Sequence, residues 1–95
     1  MSSRESSIET LEETHSFPCE YEFKVIGSNS DEFIASVVQV GVNVVGADAE
    51  PDVSTRESSG GKYVSVTMEI RMEDAESILE VYEGFEALDN VKFVL

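Results

Sequence analysis

The chain has 95 residues, 41% of them hydrophobic, with 20 acids against 6 bases, one cysteine and no tryptophan. That length supports one modest core, and a lone cysteine excludes an internal disulfide and favours a reducing, cytoplasmic setting. A formal net charge of -14 repels polyphosphates, which disfavours nucleic-acid binding, and the most apolar run, FIASVVQVGVNVVGA, is shorter than the roughly 20 residues of a membrane span.

Residues 1–16, MSSRESSIETLEETHS, are acidic and serine-rich, with few apolar side chains to offset the entropy of ordering. A disordered acidic tail is expected there. Its one structured option is a short helix capped at Ser6 with Glu9 three residues on, which places Ile8 and Leu11 a turn apart. So short a helix is marginal without a docking surface. The segment has neither the basic start nor the apolar stretch of a secretory leader.

A domain over 17–95 begins with EYEFKV, where Tyr21, Phe23 and Val25 alternate with charged residues, the period of a half-buried strand. Gly27 and SNS end it, and Asn29 or Ser30 caps a helix with Asp31 and Glu32 in its first turn. Phe33, Val37, Val40 and Val44 supply that helix's apolar stripe. DVSTRES reads as a strand, SSGG as a turn and KYVSVTMEIRM as the partner strand of a hairpin. A second helix over about 74–88 carries Ala75, Ile78, Leu79, Tyr82, Phe85 and Leu88 on one side. NVKFVL closes the chain as a strand with Val91, Phe93 and Leu95 expected to point inward.

The order strand, helix, strand, strand, helix, strand predicts an α+β, ferredoxin-like βαββαβ fold: a four-stranded antiparallel sheet with two helices on one face. With the usual strand order 4-1-3-2, the uncovered face presents Glu22, Lys24, Tyr63, Ser65, Thr67, Glu69, Arg71 and Lys92. Along the sequence the bases are scattered, without a basic run.

FPCEYEFKVIG, GKYVSVTMEIRM and the terminal YEGFEALDNVKFVL resemble the YbeD-like family of uncharacterised proteins, which also carries a lipoate-regulatory label; the likeness covers about residues 17–95. It implies a ferredoxin-like fold similar to ACT regulatory domains. ACT-like pairing implies in turn a possible homodimer, with Gly27, Ser28, Asn29 and Ser30 as a ligand- or partner-contacting loop.

Enzyme chemistries fare poorly. Cys19 as a nucleophile needs a base, but His15, the only histidine, lies in the tail, and Glu20 and Glu22 raise a thiol's pKa. A structural cysteine is expected. The first strand–helix loop, IGSNSDEF, lacks the C-x-x-C of metallochaperones. In DAEPDVSTRES, Pro51, Val53 and Ser59 occupy positions where a calcium loop needs other residues. Glu76, Glu80 and Glu83 are spread along an open helix, a solvated face. No metal or cofactor is expected. SSGGK lacks phosphate-loop spacing, and Tyr63 alone is a weak base-stacking platform.

Two readings remain. The first is a non-catalytic regulatory or adaptor domain that binds a protein partner or small metabolite through the Gly27–Ser30 loop or the open sheet face with Lys24, Tyr63, Ser65, Thr67 and Arg71. The alternative is a small acylphosphatase-like hydrolase with Asn29 at the phosphate.

Overall fold

The computed structural model describes residues 3–95. Its elements are α1 (Ser3–Thr14), β1 (Cys19–Ser28), α2 (Asp31–Val45), a 3-10 turn at Ala47–Ala49, β2 (Asp52–Glu57), β3 (Tyr63–Met72), α3 (Ala75–Glu86) and β4 (Val91–Val94). The strands form one antiparallel sheet in the order β2-β3-β1-β4, so the longest period-2 segments occupy the centre. This is the ferredoxin-like arrangement expected from the sequence.

Register follows from which face must be buried. β1 pairs with β3 from Cys19↔Met72 to Ser28↔Tyr63, which sets Phe23 opposite Met68 and Val25 opposite Val66. All four side chains are fully buried, with Ile70, Val37, Ile78, Val81 and Phe85 closing the core above them. Each contributes about 1.5–3 kcal/mol of burial.

Both covering helices start on side-chain caps. Ser30 Oγ accepts the Phe33 N–H at 3.1 Å, and Asp74 Oδ1 accepts the Ser77 N–H at 2.8 Å. Each cap satisfies a donor that a helix start otherwise leaves open, which stabilises by about 1 kcal/mol. Gly41, a weak helix former, has a packing reason. A methyl group there would fall 2.8 Å from Met68 Cε and 3.0 Å from Ile70 Cδ1, so glycine lets α2 rest directly on β3.

Two expectations are corrected. Residues 3–14, expected to be disordered, form α1, and the reason is the docking surface that a short helix needs. Leu79 and Tyr82 of α3 line a groove together with Thr10 and Leu11 of α1, and Leu11 packs against the core cluster. The side of α3 turned to the sheet buries Val81, which the expected stripe omitted.

The second correction concerns β4. Its register shifts between Ile26 and Gly27, from Ile26↔Phe93 to Gly27↔Val91, which inserts Lys92 as an extra residue. A bulge breaks the alternation. Val91 and Val94 therefore pack on the core, while Phe93 and Leu95, expected to point inward, are 55% and 63% exposed.

Candidate functional site

The Gly27–Ser30 loop joins β1 to α2, and its polar groups are engaged inside the protein. The Ser28 N–H donates to Asn90 O at 3.1 Å and the Asn29 N–H to Lys62 O at 3.2 Å. Asn29 Nδ2 donates to Gly61 O at 2.9 Å, and Ser30 Oγ caps α2. Gly27 is buried against the Phe33 ring and the Asn90 carbonyl. These groups splice three connections together: β1–α2, the β2–β3 hairpin turn and the α3–β4 turn. The Ser28 and Asn29 N–H groups already have acceptors, as does the Asn29 amide on which an acylphosphatase-like site would depend.

The uncovered sheet face is differently equipped. Alternation and register bring Ser28 beside Tyr63; Ile26 beside Ser65 and Arg56; Lys24 beside Thr67 and Ser54; Glu22 beside Glu69 and Asp52; and Glu20 beside Arg71. The bulge adds Phe93 next to Ile26. The bases that are scattered in sequence thus converge here. Lys24, Arg56, Arg71 and Lys92 lie on this face with Lys62 at its rim, five of the chain's six bases. Four of the 20 acids, Glu20, Glu22, Asp52 and Glu69, share it.

The charges are also sorted along the strands. Arg56, Lys62 and Lys92 surround the Tyr63 end, Lys24 stands mid-face opposite Thr67, and three carboxylates form the next row toward the other end. Lys92 Nζ lies 4.1 Å from the Tyr63 ring centroid and Lys62 Nζ 5.5 Å, within cation–π range. The Lys92 ammonium, followed by Lys62, holds the exposed Tyr63 phenol below its ordinary pKa. Arg71 has its own carboxylate, Glu73, with Nε 3.7 Å from Oε1. Among the described residues, none of Lys24, Arg56, Lys62 and Lys92 forms an ion pair.

Beside Tyr63 lies a shallow depression of about 210 Å³, with Ile26, Tyr63, Val64 and Ser65 along its floor and Arg56 and Glu57 on its rim. Besides the α1–α3 groove, of about 360 Å³, two wider clefts lie elsewhere. One, of about 510 Å³, runs between the start of α2 and the α3–β4 turn, and Glu32 and Asp89 stand on its walls. The other, of about 570 Å³, lies by the end of α2 and holds Asp48, Glu73 and Asp74. Both are rimmed by carboxylates.

Cys19 is a half-buried free thiol at the first position of β1, paired with Met72. His15 packs edge-on against Tyr21, with ring centroids 5.4 Å apart. The Tyr21 and Tyr82 hydroxyls are 3.1 Å apart, and Tyr82 also donates to Leu95 O at 3.4 Å. Burial, then the Tyr21 hydroxyl, pushes Tyr82 well above the ordinary tyrosine pKa. Among the described residues no group of three or more His, Cys, Asp or Glu side chains converges to hold a metal ion. Among them, too, no helix is long and apolar enough to cross a membrane.

The sequence reading placed Lys24, Tyr63, Ser65, Thr67 and Arg71 on the open face, and the structure puts them there. It missed Arg56, Ile26 and Phe93. The facing of β2 and the true end of β1 carried the signal for the first two; the bulge that exposes Phe93 had none.

Fold and face together define an α+β ferredoxin-like domain with one side of its sheet covered by helices and the other left open and charged. The chain belongs to the family described as "Protein of unknown function (DUF493)", whose model matches residues 12–95, in agreement with the YbeD-like resemblance of the sequence. It is similar to a UPF0250 protein of Chromobacterium violaceum, 34% identical over 85 residues that cover 88% of this chain and 94% of the relative. A UPF0250 protein of Shewanella piezotolerans is 37% identical, covering 90% and 94%. Among solved structures, the solution structure of protein HP0495 from H. pylori matches with a TM-score of 0.73, 16% identity and 85% of each chain covered. The family match begins within α1, so most of that helix precedes it.

Proposed function

We propose that this chain is a non-catalytic binding domain of a reducing compartment and that it receives a protein partner on the open face of its sheet. The observation that carries this reading is the gathering of five of six bases on one face of a strongly acidic protein, four of them forming no ion pair among the described residues. The exposed Phe93 and Leu95 border the same face and add apolar area that a partner can cover.

A protein partner fits better than a metabolite. Small-molecule sites are usually enclosed and about 300–1,000 Å³, whereas the depression by Tyr63 is smaller and shallow, two larger clefts are lined with carboxylates, and the groove of about 360 Å³ between α1 and α3 offers no charged group to orient a ligand. The packing of His15 on Tyr21 and the bond from the Asn29 amide to Gly61 support the non-catalytic reading over a thiol–imidazole pair or a phosphate-gripping amide.

The test is site-specific photo-crosslinking in the native cell, with the reactive group at Thr67 in the centre of the open face or at Glu80 on the exposed side of α3. A discrete adduct from Thr67 and none from Glu80 is the expected result. Equal adducts from both, or from Glu80 alone, would remove the open face as the binding surface. Acetyl phosphate incubated with the purified protein should decay at its uncatalysed rate.

A further inference from the structure

We propose that the partner presents a segment carrying carboxylates beside a large apolar side chain, and that this segment seats over Tyr63 at the cationic end of the open face. The inference rests on the reading of that face as the binding surface and specifies what it binds. The apolar side chain would enter the depression floored by Ile26 and Tyr63, and the carboxylates would meet Arg56 and Lys92, with Lys62 within the same patch.

Charge sorting along the strands carries the argument. From Tyr63 to Glu69, six residues along β3, the face changes from cationic to anionic. At about 3.3 Å per residue that is roughly 20 Å, against a Debye length of about 8 Å at physiological ionic strength. A carboxylate at the Tyr63 end therefore feels the nearby ammonium and guanidinium groups while the far row of Glu22, Glu69 and Asp52 is largely screened. That far row is a repulsive element. An acidic segment laid over the whole face would meet it, so the segment is confined to one end and its direction is fixed.

Chemistry selects among occupants. A purely acidic chain leaves Ile26 and Phe93 uncovered, and a purely apolar one leaves Arg56, Lys62 and Lys92 without counter-charge. A second copy of this chain, turned end for end, would give the cations the Glu22, Glu69 and Asp52 row as counter-charge but would bury Ile26 and Phe93 on the same carboxylates. Only a segment with both features matches what the face presents.

The test is fluorescence-anisotropy titration at 0.15 M salt with the full chain and capped ten-residue peptides. One alternates glutamate with phenylalanine, one replaces phenylalanine by serine and one replaces glutamate by lysine; free phenylacetate is a fourth probe. The glutamate–phenylalanine peptide should bind about tenfold more tightly than either altered peptide and than phenylacetate. The double variant Arg56→Glu/Lys92→Glu should lose about tenfold, whereas Arg71→Glu, at the other end of the same face, should lose less than about twofold. These side chains are exposed, and circular dichroism checks that each variant is folded.

Equal binding of the lysine peptide, equal loss in Arg71→Glu, equal binding of phenylacetate, or displacement of every peptide by self-association of the chain would each overturn the proposal. An adduct at Thr67 combined with silence of the peptide panel would overturn this inference and leave the binding face standing. Absence of the adduct would remove both.

Discussion

Replacing Gly27 by alanine separates a structural splice from a ligand loop. An added Cβ would lie 2.5 Å from the Asn90 carbonyl oxygen and would also collide with the Phe33 ring. Neither neighbour can easily yield. The Asn90 carbonyl accepts the Ser28 N–H from a residue held at φ 68°, and Phe33 is 4% exposed with its N–H on the Ser30 cap. Overpacking of this kind costs about 1–3 kcal/mol, and in a domain of this size each kcal/mol lowers the thermal midpoint by about 4–8 °C. The control is Gly60→Ala, where a methyl group meets nothing within 4 Å; it should stay within about 0.5 kcal/mol of the parent. Thermal and urea unfolding followed by circular dichroism would measure both. A Gly27→Ala midpoint indistinguishable from that of Gly60→Ala would refute the reasoning, because glycine would then be spare in the folded protein and free to serve a ligand's approach.

Three further outcomes follow from the same contacts. The Ser77 backbone N–H, and then its hydroxyl, holds Asp74 below its ordinary pKa, so the stability from this cap is complete above the unfolded value near 3.9 and is lost as pH falls through the lower folded value. Asp74→Asn keeps a capping acceptor, and its urea midpoint should vary less between pH 5 and pH 2. Tyr82 is shifted the other way, so its contribution is complete below about pH 10 and declines as pH rises toward the folded value. Tyr82→Phe should flatten that alkaline decline while losing about 0.5–1.5 kcal/mol at pH 7 with its hydroxyl bonds, and ultraviolet titration should show Tyr63 ionising first and Tyr82 last. Glu69 stands between Glu22 and Asp52 in one cross-strand row; Glu69→Lys should stabilise by about 0.2–1 kcal/mol in urea unfolding, more at low salt.

The fold was legible because its signals are local. Alternation in EYEFKV and KYVSVTMEIRM specifies the two central strands, and Ser30 and Asp74 mark the helix starts by the acceptors they offer. What the sequence hid depends on partners distant along the chain. The helical state of residues 3–14 depends on Leu79 and Tyr82. The outward turn of Phe93 depends on Lys92 being bulged against β1, which a period of two cannot anticipate. The site followed the same division. Single-strand alternation sufficed for Lys24, Tyr63 and Arg71, but gathering five scattered bases into one face requires the register of three strand pairings at once. The Gly27–Ser30 loop looked available because its composition resembles that of a ligand loop. Its acceptors, Asn90, Gly61 and Lys62, lie more than 30 residues away.

Location of binding on the open sheet is the central claim, and an amide chemical-shift map tests it most directly. The isotope-labelled protein, titrated with the glutamate–phenylalanine peptide, should show its largest shifts at Ile26, Arg56, Tyr63, Ser65 and Phe93, with α2 and α3 unmoved. Shifts concentrated instead at Ser30, Ser36, Leu88 and Asn90, around the cleft at the start of α2, would contradict the account and return the function to the loop.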